Sequence, residues 1–156
     1  MKHLNSQLFL YLIIIMISLL VPQQTLAKQI EYFSSQRNIE KNYPFSNAVR
    51  VGNLLFLSGE IGTLPDSSKL IAGGIKNEAK QTMDNIQGSL AAHNLTMNDL
   101  VKCTVMLADI KEWGDFNQVY KSYFPKHFPA RSAFATNGLA LNARVEVECI
   151  AAFSKN

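Results

Sequence analysis

From residue 29 onward the chain alternates short β-type runs with two longer helical periods. Gln29–Ser34 reads as a first strand, and the polar Ser35–Tyr43 stretch that follows reads as loop. Asn47–Val51 and Leu54–Ser58 flank Gly52-Asn53, which predicts a hairpin with Gly52 supplying the positive φ of a II′-type turn. The second of these strands is apolar at four consecutive positions, Leu54 to Leu57, so both of its faces need cover. Ile75, Ala79, Met83, Ile86 and Leu90 recur at helical spacing and predict an amphipathic helix over Ile75–His93, with Asn94 closing it in the left-handed conformation. Leu100–Leu107 sets Val101, Cys103, Val105 and Leu107 against Lys102, Thr104 and Met106, the mark of a strand with one buried face. A second helix, Glu112–Phe124, is expected to bury Trp113, Phe116, Val119, Tyr120, Tyr123 and Phe124 and to stop at Pro125. Ala130–Ala135 and Arg144–Ile150 complete the set as strands. The order β-β-β-α-β-α-β-β makes an α+β domain in which two helices cover one face of the sheet. No third layer remains for the other face, so a homo-oligomer is expected to supply it.

The first residues have a different character. Lys2 and His3 precede a fourteen-residue, largely apolar run, Leu8–Val21, then Pro22 and the small-residue site Thr25-Leu26-Ala27. This is the pattern of a cleavable signal peptide over residues 1–27, with 28–156 as a single exported domain; an uncleaved membrane anchor is the alternative. The formal charge of +3 falls to +2 without Lys2, and no basic run follows residue 27. That balance argues against a nucleic-acid partner or a membrane-surface role for the domain. The three histidines, His3, His93 and His127, lack metal-ligand spacing, so no metal is expected. Cys103 and Cys149 lie at apolar strand positions outside any CxxC motif and read as small buried hydrophobes, although an oxidising compartment permits a disulfide.

Candidate chemistry gathers in Phe128-Pro129-Ala130-Arg131-Ser132 and in the last strand. Strand alternation gives Arg131, Ala133 and Ala135 one face, so Arg131 is a permanent cation among methyl groups, with a planar fork suited to a carboxylate. Arg144, Glu146 and Glu148 share one face of the final strand, with Val145, Val147, Cys149 and Ala151 on the other. Were the two strands close, a carboxylate binder and a carboxylate base would face one small pocket. The competing reading is a structural Arg–Glu pair. Gly59 and Gly62, at the end of Leu54–Ser58, permit close backbone approach to a ligand or another chain, or simply a tight bend.

Several stretches together resemble one family. Pro44–Val49, Leu57–Ile61, Asn117–Phe124, Phe128–Ser132 and Val145–Ala151 are similar to the corresponding stretches of the RidA (YjgF-type) reactive-imine deaminases. The resemblance implies a chorismate-mutase-like α+β fold of about six strands with two helices on one face, assembled as a homotrimer with clefts between subunits. It implies hydrolysis of enamine or imine products such as 2-aminoacrylate to a 2-keto acid and ammonia, with no cofactor. By that resemblance Arg131 holds the substrate carboxylate, Glu148 places the attacking water, Asn117 lines the pocket, and Ser58 and Gly59 form the cleft wall. Two positions depart from the family pattern: Phe45 stands where a tyrosine is usual, and Ala133 where close relatives carry cysteine. Both make the pocket less polar. The alternatives are a non-catalytic module that captures small carboxylates and a chaperone-like trimer.

Overall fold

The computed structural model describes residues 29–65 and 67–154. The leader expected over residues 1–27 lies outside them. Among the described residues no helix is long and apolar enough to cross a membrane.

Seven strands form one mixed sheet: β1 (Ile30–Phe33), β2 (Ala48–Val51), β3 (Leu54–Leu57), β4 (Glu60–Ile61), β5 (Leu100–Leu107), β6 (Ala130–Ala135) and β7 (Val145–Ala152). Their order is β1-β2-β3-β7-β5-β6, with β4 also pairing with β7. The helices are α1 (Gln36–Glu40), α2 (Ile75–Ala91) and α3 (Trp113–Ser122). The hairpin forms as expected, with Gly52 at φ 62°. Asn94 closes α2 at φ 57°. β5 and β6 run parallel, and α3 lies on the crossover that a parallel pair requires.

The buried face of the sheet follows from alternation. Leu55, Cys103, Val105, Leu107, Val145, Val147 and Ala151 have essentially no exposure, and they pack in one cluster with Ala79, Met83, Ile86 and Leu90 of α2 and with Phe116 and Tyr120 of α3. Each such Leu-sized side chain contributes about 1.5–3 kcal/mol by leaving water. The α2 stripe matches the periodicity of the sequence residue for residue.

Five expectations are corrected. Val101, expected on the buried face of β5, is exposed, and Leu100 is buried instead, at a register irregularity between Leu100 and Lys102. Ser35–Tyr43 is not all loop: Ser35 caps the short α1 by accepting from the Asn38 N–H. Glu60–Ile61 is not merely a bend but a strand, β4, paired with β7. Trp113 is 43% exposed because it begins α3 rather than sitting within its buried stripe. Cys103 and Cys149, read as free hydrophobes, are joined in a disulfide. They are register partners on adjacent antiparallel strands with both side chains turned to the core, which brings their Cα atoms to 4.1 Å.

Leu54–Leu57 is covered on one side only. Leu55 and Leu57 are buried, whereas Phe56 on the opposite face is 39% exposed. Tyr32 and Phe134 point the same way, at 70% and 46%.

Candidate functional site

Arg131 sits on β6, the last strand of the sheet. Its register partner is Cys103, so the side chain leaves the sheet on the helix face and meets α3. There the guanidinium carbon lies 4.7 Å from the Tyr120 ring centroid and 6.0 Å from that of Phe116. The expectation that only methyl groups surround it holds along the strand, through Ala133 and Ala135, but not across the layer, where two aromatic rings stand. Tyr120 is itself held between Phe116 and Phe124, at centroid distances of 5.5 and 4.7 Å. Burial pushes the Tyr120 phenol up to about 12 against the opposing pull of Arg131, so the ring stays neutral.

Among the described residues Arg131 forms no ion pair. The cations that do pair are Lys76 with Asp115, Lys80 with Asp84 and Arg144 with Glu112. The structural Arg–Glu pair is therefore found at Arg144, not at Arg131. Asn117 lies on α3 one residue beyond Phe116 and three before Tyr120, at the same end of the layer. Arg131 and Ala133 share the helix side of the β6 edge, and Asn117 lies on the helix whose Phe116 and Tyr120 face Arg131.

Glu148 belongs to a different place. It is the register partner of Thr104 and the chain neighbour of Cys149, so it projects from the open face of the sheet. It lines a shallow depression there with Phe56, Lys102, Thr104 and Ile150, while Lys102 Nζ donates to Ser132 Oγ at 2.8 Å. β5 separates β6 from β7, and the one-residue difference in parity puts Arg131 and Glu148 on opposite faces. Within one chain the two strands are not neighbours, so the condition for a shared pocket is not met there.

The Glu148 side carries its own wall. Glu146 lies on the same face, and its carboxylate rests against Gly59 so closely that a Cβ there would overlap it. The glycine is required for that approach. Ser58 donates from Oγ to the Ser46 carbonyl at 2.6 Å and from its backbone N–H to the Asn47 carbonyl at 3.0 Å. These bonds tie the Phe45 segment to Ser58-Gly59. Phe45 is half-exposed, and Tyr43 stacks on it at 5.6 Å with the rings 15° from parallel. Burial, with the charge of Glu148, raises the Glu146 carboxyl above its usual range. Burial also raises Glu60, helped by Glu146 and opposed by a hydrogen bond from Ser89.

The seven residues picked from the sequence therefore divide into two groups. Arg131 and Ala133 stand on the helix side of the β6 edge, with Asn117 on α3; Glu148, Gly59, Ser58 and Phe45 stand around the start of β4 and the open face of β7. The contact of Tyr120 with Arg131 is not legible in the sequence, because helical spacing with Phe116 and Phe124 marks the residue as core, which it is; only the strand opposite reveals the contact. Among the described residues no group of three or more His, Cys, Asp or Glu side chains is placed to hold a metal.

The chain is similar to several known proteins. The family model described as Endoribonuclease L-PSP matches residues 35–153. The 2-iminobutanoate/2-iminopropanoate deaminase of Mus musculus is 42% identical over 108 residues, covering 69% of this chain and 80% of that protein. The deaminase of the same name from Homo sapiens is 41% identical, with 69% and 79% covered. Among solved structures, the YjgF gene product of E. coli superposes with a TM-score of 0.68 at 30% identity, covering 72% of this chain and 90% of that one.

Proposed function

This chain belongs to the Endoribonuclease L-PSP family, the family of the YjgF and RidA proteins, and from that premise we propose that it is a deaminase of reactive imines and enamines. The substrate class is the 2-imino acid, or its enamine tautomer, of the 2-aminoacrylate type. Water adds to the imine carbon, the C–N bond of the resulting carbinolamine breaks, and a 2-keto acid and ammonia leave. The observation that carries the reading is Arg131: a guanidinium with no ion pair among the described residues, seated on an aromatic ring at a sheet edge, in the segment Pro129-Ala130-Arg131-Ser132. Its fork suits the carboxylate that every such substrate bears. An imine carbon is already electrophilic, so holding the carboxylate and delivering water supplies most of what the reaction needs. Glu148 is assigned the second task, accepting a proton from water as it attacks; that proton is returned to the departing nitrogen.

Because Arg131 and Glu148 leave the sheet on opposite faces, the working site is assigned to the junction of two copies, one giving Arg131, Asn117 and Ala133, the other Glu148, Gly59, Ser58 and Phe45. The exposed row of Phe56, Tyr32 and Phe134 supports an assembly that covers the open face, and a homotrimer is the form proposed. The Cys103–Cys149 disulfide, together with the leader-like segment 1–27, supports export of domain 28–156 to an oxidising compartment such as a periplasm.

The test generates imines in situ from a series of amino acids with an amino-acid oxidase and follows loss of the imine against a trapping nucleophile. Wild-type protein is expected to accelerate that loss and Arg131→Ala is not. Equal rates for the two across the series would remove the enzyme reading and leave capture of small carboxylates.

A further inference from the structure

A guanidinium that must bind a carboxylate has two conflicting requirements. Its long stem has to be ordered before the ligand arrives, or the ordering entropy is subtracted from affinity. The usual way to order it, a neighbouring carboxylate, consumes the charge and the donors that the ligand needs. An aromatic face escapes the conflict: its quadrupole attracts the cation while leaving every N–H donor unused.

Arg131 has this environment. No carboxylate pairs with it among the described residues, and its guanidinium carbon stands 4.7 Å from the centroid of Tyr120. The ring is a firm seat: Tyr120 is 3% exposed and is packed against Phe116 and Phe124. Its hydroxyl is buried with no hydrogen-bond partner among the described residues, so ring packing and not the hydroxyl fixes its position. We propose that Tyr120 is a positioning residue, whose ring face holds the Arg131 guanidinium ready for the substrate carboxylate without neutralising it. The proposal rests on the deaminase reading and adds to it a residue that never touches substrate.

Two consequences separate this role from ordinary core packing. The effect falls on binding, in KM, rather than on turnover, and it follows the electron density of the ring rather than its volume. The test replaces Tyr120 by phenylalanine and by phenylalanines of increasing ring fluorination, which weaken the ring face at nearly constant size, with Tyr120→Leu as the variant lacking a ring. The full chain is assayed for imine hydrolysis, and its affinity for 2-oxobutanoate is measured by calorimetry. KM and Kd are expected to climb stepwise with fluorination, to about tenfold in Tyr120→Leu, with kcat changing about twofold at most and the melting temperature flat across the fluorinated series. Tyr120→Phe, which keeps the ring, is expected to recover most of the affinity lost in Tyr120→Leu. If Tyr120→Leu fails to fold, the fluorinated series still decides. KM and Kd indifferent to fluorination would overturn the assignment, as would a fall in kcat at constant KM. Arg131→Ala run alongside separates the two readings: loss of activity there with no effect of fluorination discards the Tyr120 role alone. Unchanged hydrolysis and unchanged 2-oxobutanoate affinity in Arg131→Ala would discard both.

Discussion

The two faces of the central sheet are built from the same strands and obey opposite rules. On the helix face, Leu55, Val105, Val145 and Val147 are sealed beneath α2 and α3, and one chain accounts for every contact they need. On the open face, Phe56, Glu146, Glu148 and Thr104 stand between the same residues at the alternate positions, and a single chain leaves them partly in water. Along β3 the contrast is one residue wide: Leu55 is fully buried and Phe56 is 39% exposed. The helix face is a finished core. The other is left open by a single chain, and the two residues proposed for the chemistry divide between them, with Arg131 on the first and Glu148 on the second.

The strongest way to break the comparison acts on activity. Arg131→Ala and Glu148→Gln are each expected to lower kcat/KM at least about a hundredfold, the usual scale for losing one partner of a buried charged contact. If the two residues act from different copies, refolding the two variants together restores about a quarter of wild-type activity, because one interface in four then receives both intact halves. No recovery in the mixture would return both residues to a single chain and contradict the parity of β6 and β7.

Stability comes next. Leu55→Ala is expected to cost about 2–5 kcal/mol in chemical denaturation, whatever the protein concentration. Phe56→Ala should act instead on assembly, shifting sedimentation toward smaller species and making the melting temperature depend on concentration. The disulfide belongs wholly to the helix face. Closing a loop over a separation of 46 residues has a chain-entropy value of about 4 kcal/mol. A Cys103→Ala, Cys149→Ala double variant is therefore expected to lose roughly 2–4 kcal/mol, matched by wild type unfolded in the presence of reductant.

The smallest effect is electrostatic. The Glu60 and Glu146 carboxyls stand above their usual 4.5 in the folded chain, chiefly through burial. A carboxyl raised by folding stabilises fully below its unfolded value, and the contribution is lost as pH rises through the folded one. Denaturation midpoints measured from about pH 4 to about pH 8 should therefore show a component that falls with pH, and Glu60→Gln should flatten it.

Much of this was legible in the sequence, and the reason lies in periodicity. Val145, Val147, Cys149 and Ala151 alternate with Glu146 and Glu148 because a strand has period two, and no packing overrode it. The α2 stripe was equally clear. What periodicity does not contain is which strand lies beside which. The placement of β5 between β6 and β7, parallel to one and antiparallel to the other, decides that Arg131 shares a side with Cys103 while Glu148 does not. The same ignorance hid the Cys103–Cys149 bond, which depends on cross-strand register, and the seat beneath Arg131. The helix α1 and the strand β4 are five and two residues long, too short to show a period at all. The selection of Arg131 and Glu148 over other charged strand residues came from resemblance, since Arg144 and Glu146 present the same residue types.

The Cys103–Cys149 bond also changes what a protease can do to this domain. The segment between the two cysteines contains α3, the half-exposed Phe128, the Arg131 strand, and the turn where Leu141 and Asn142 adopt positive φ on the surface. Such exposed turns are where cleavage concentrates. A single cut anywhere within the segment leaves both fragments covalently attached to one sheet, and β6 keeps its ladder to β5. Damage of that kind severs the backbone without releasing the piece that carries the guanidinium.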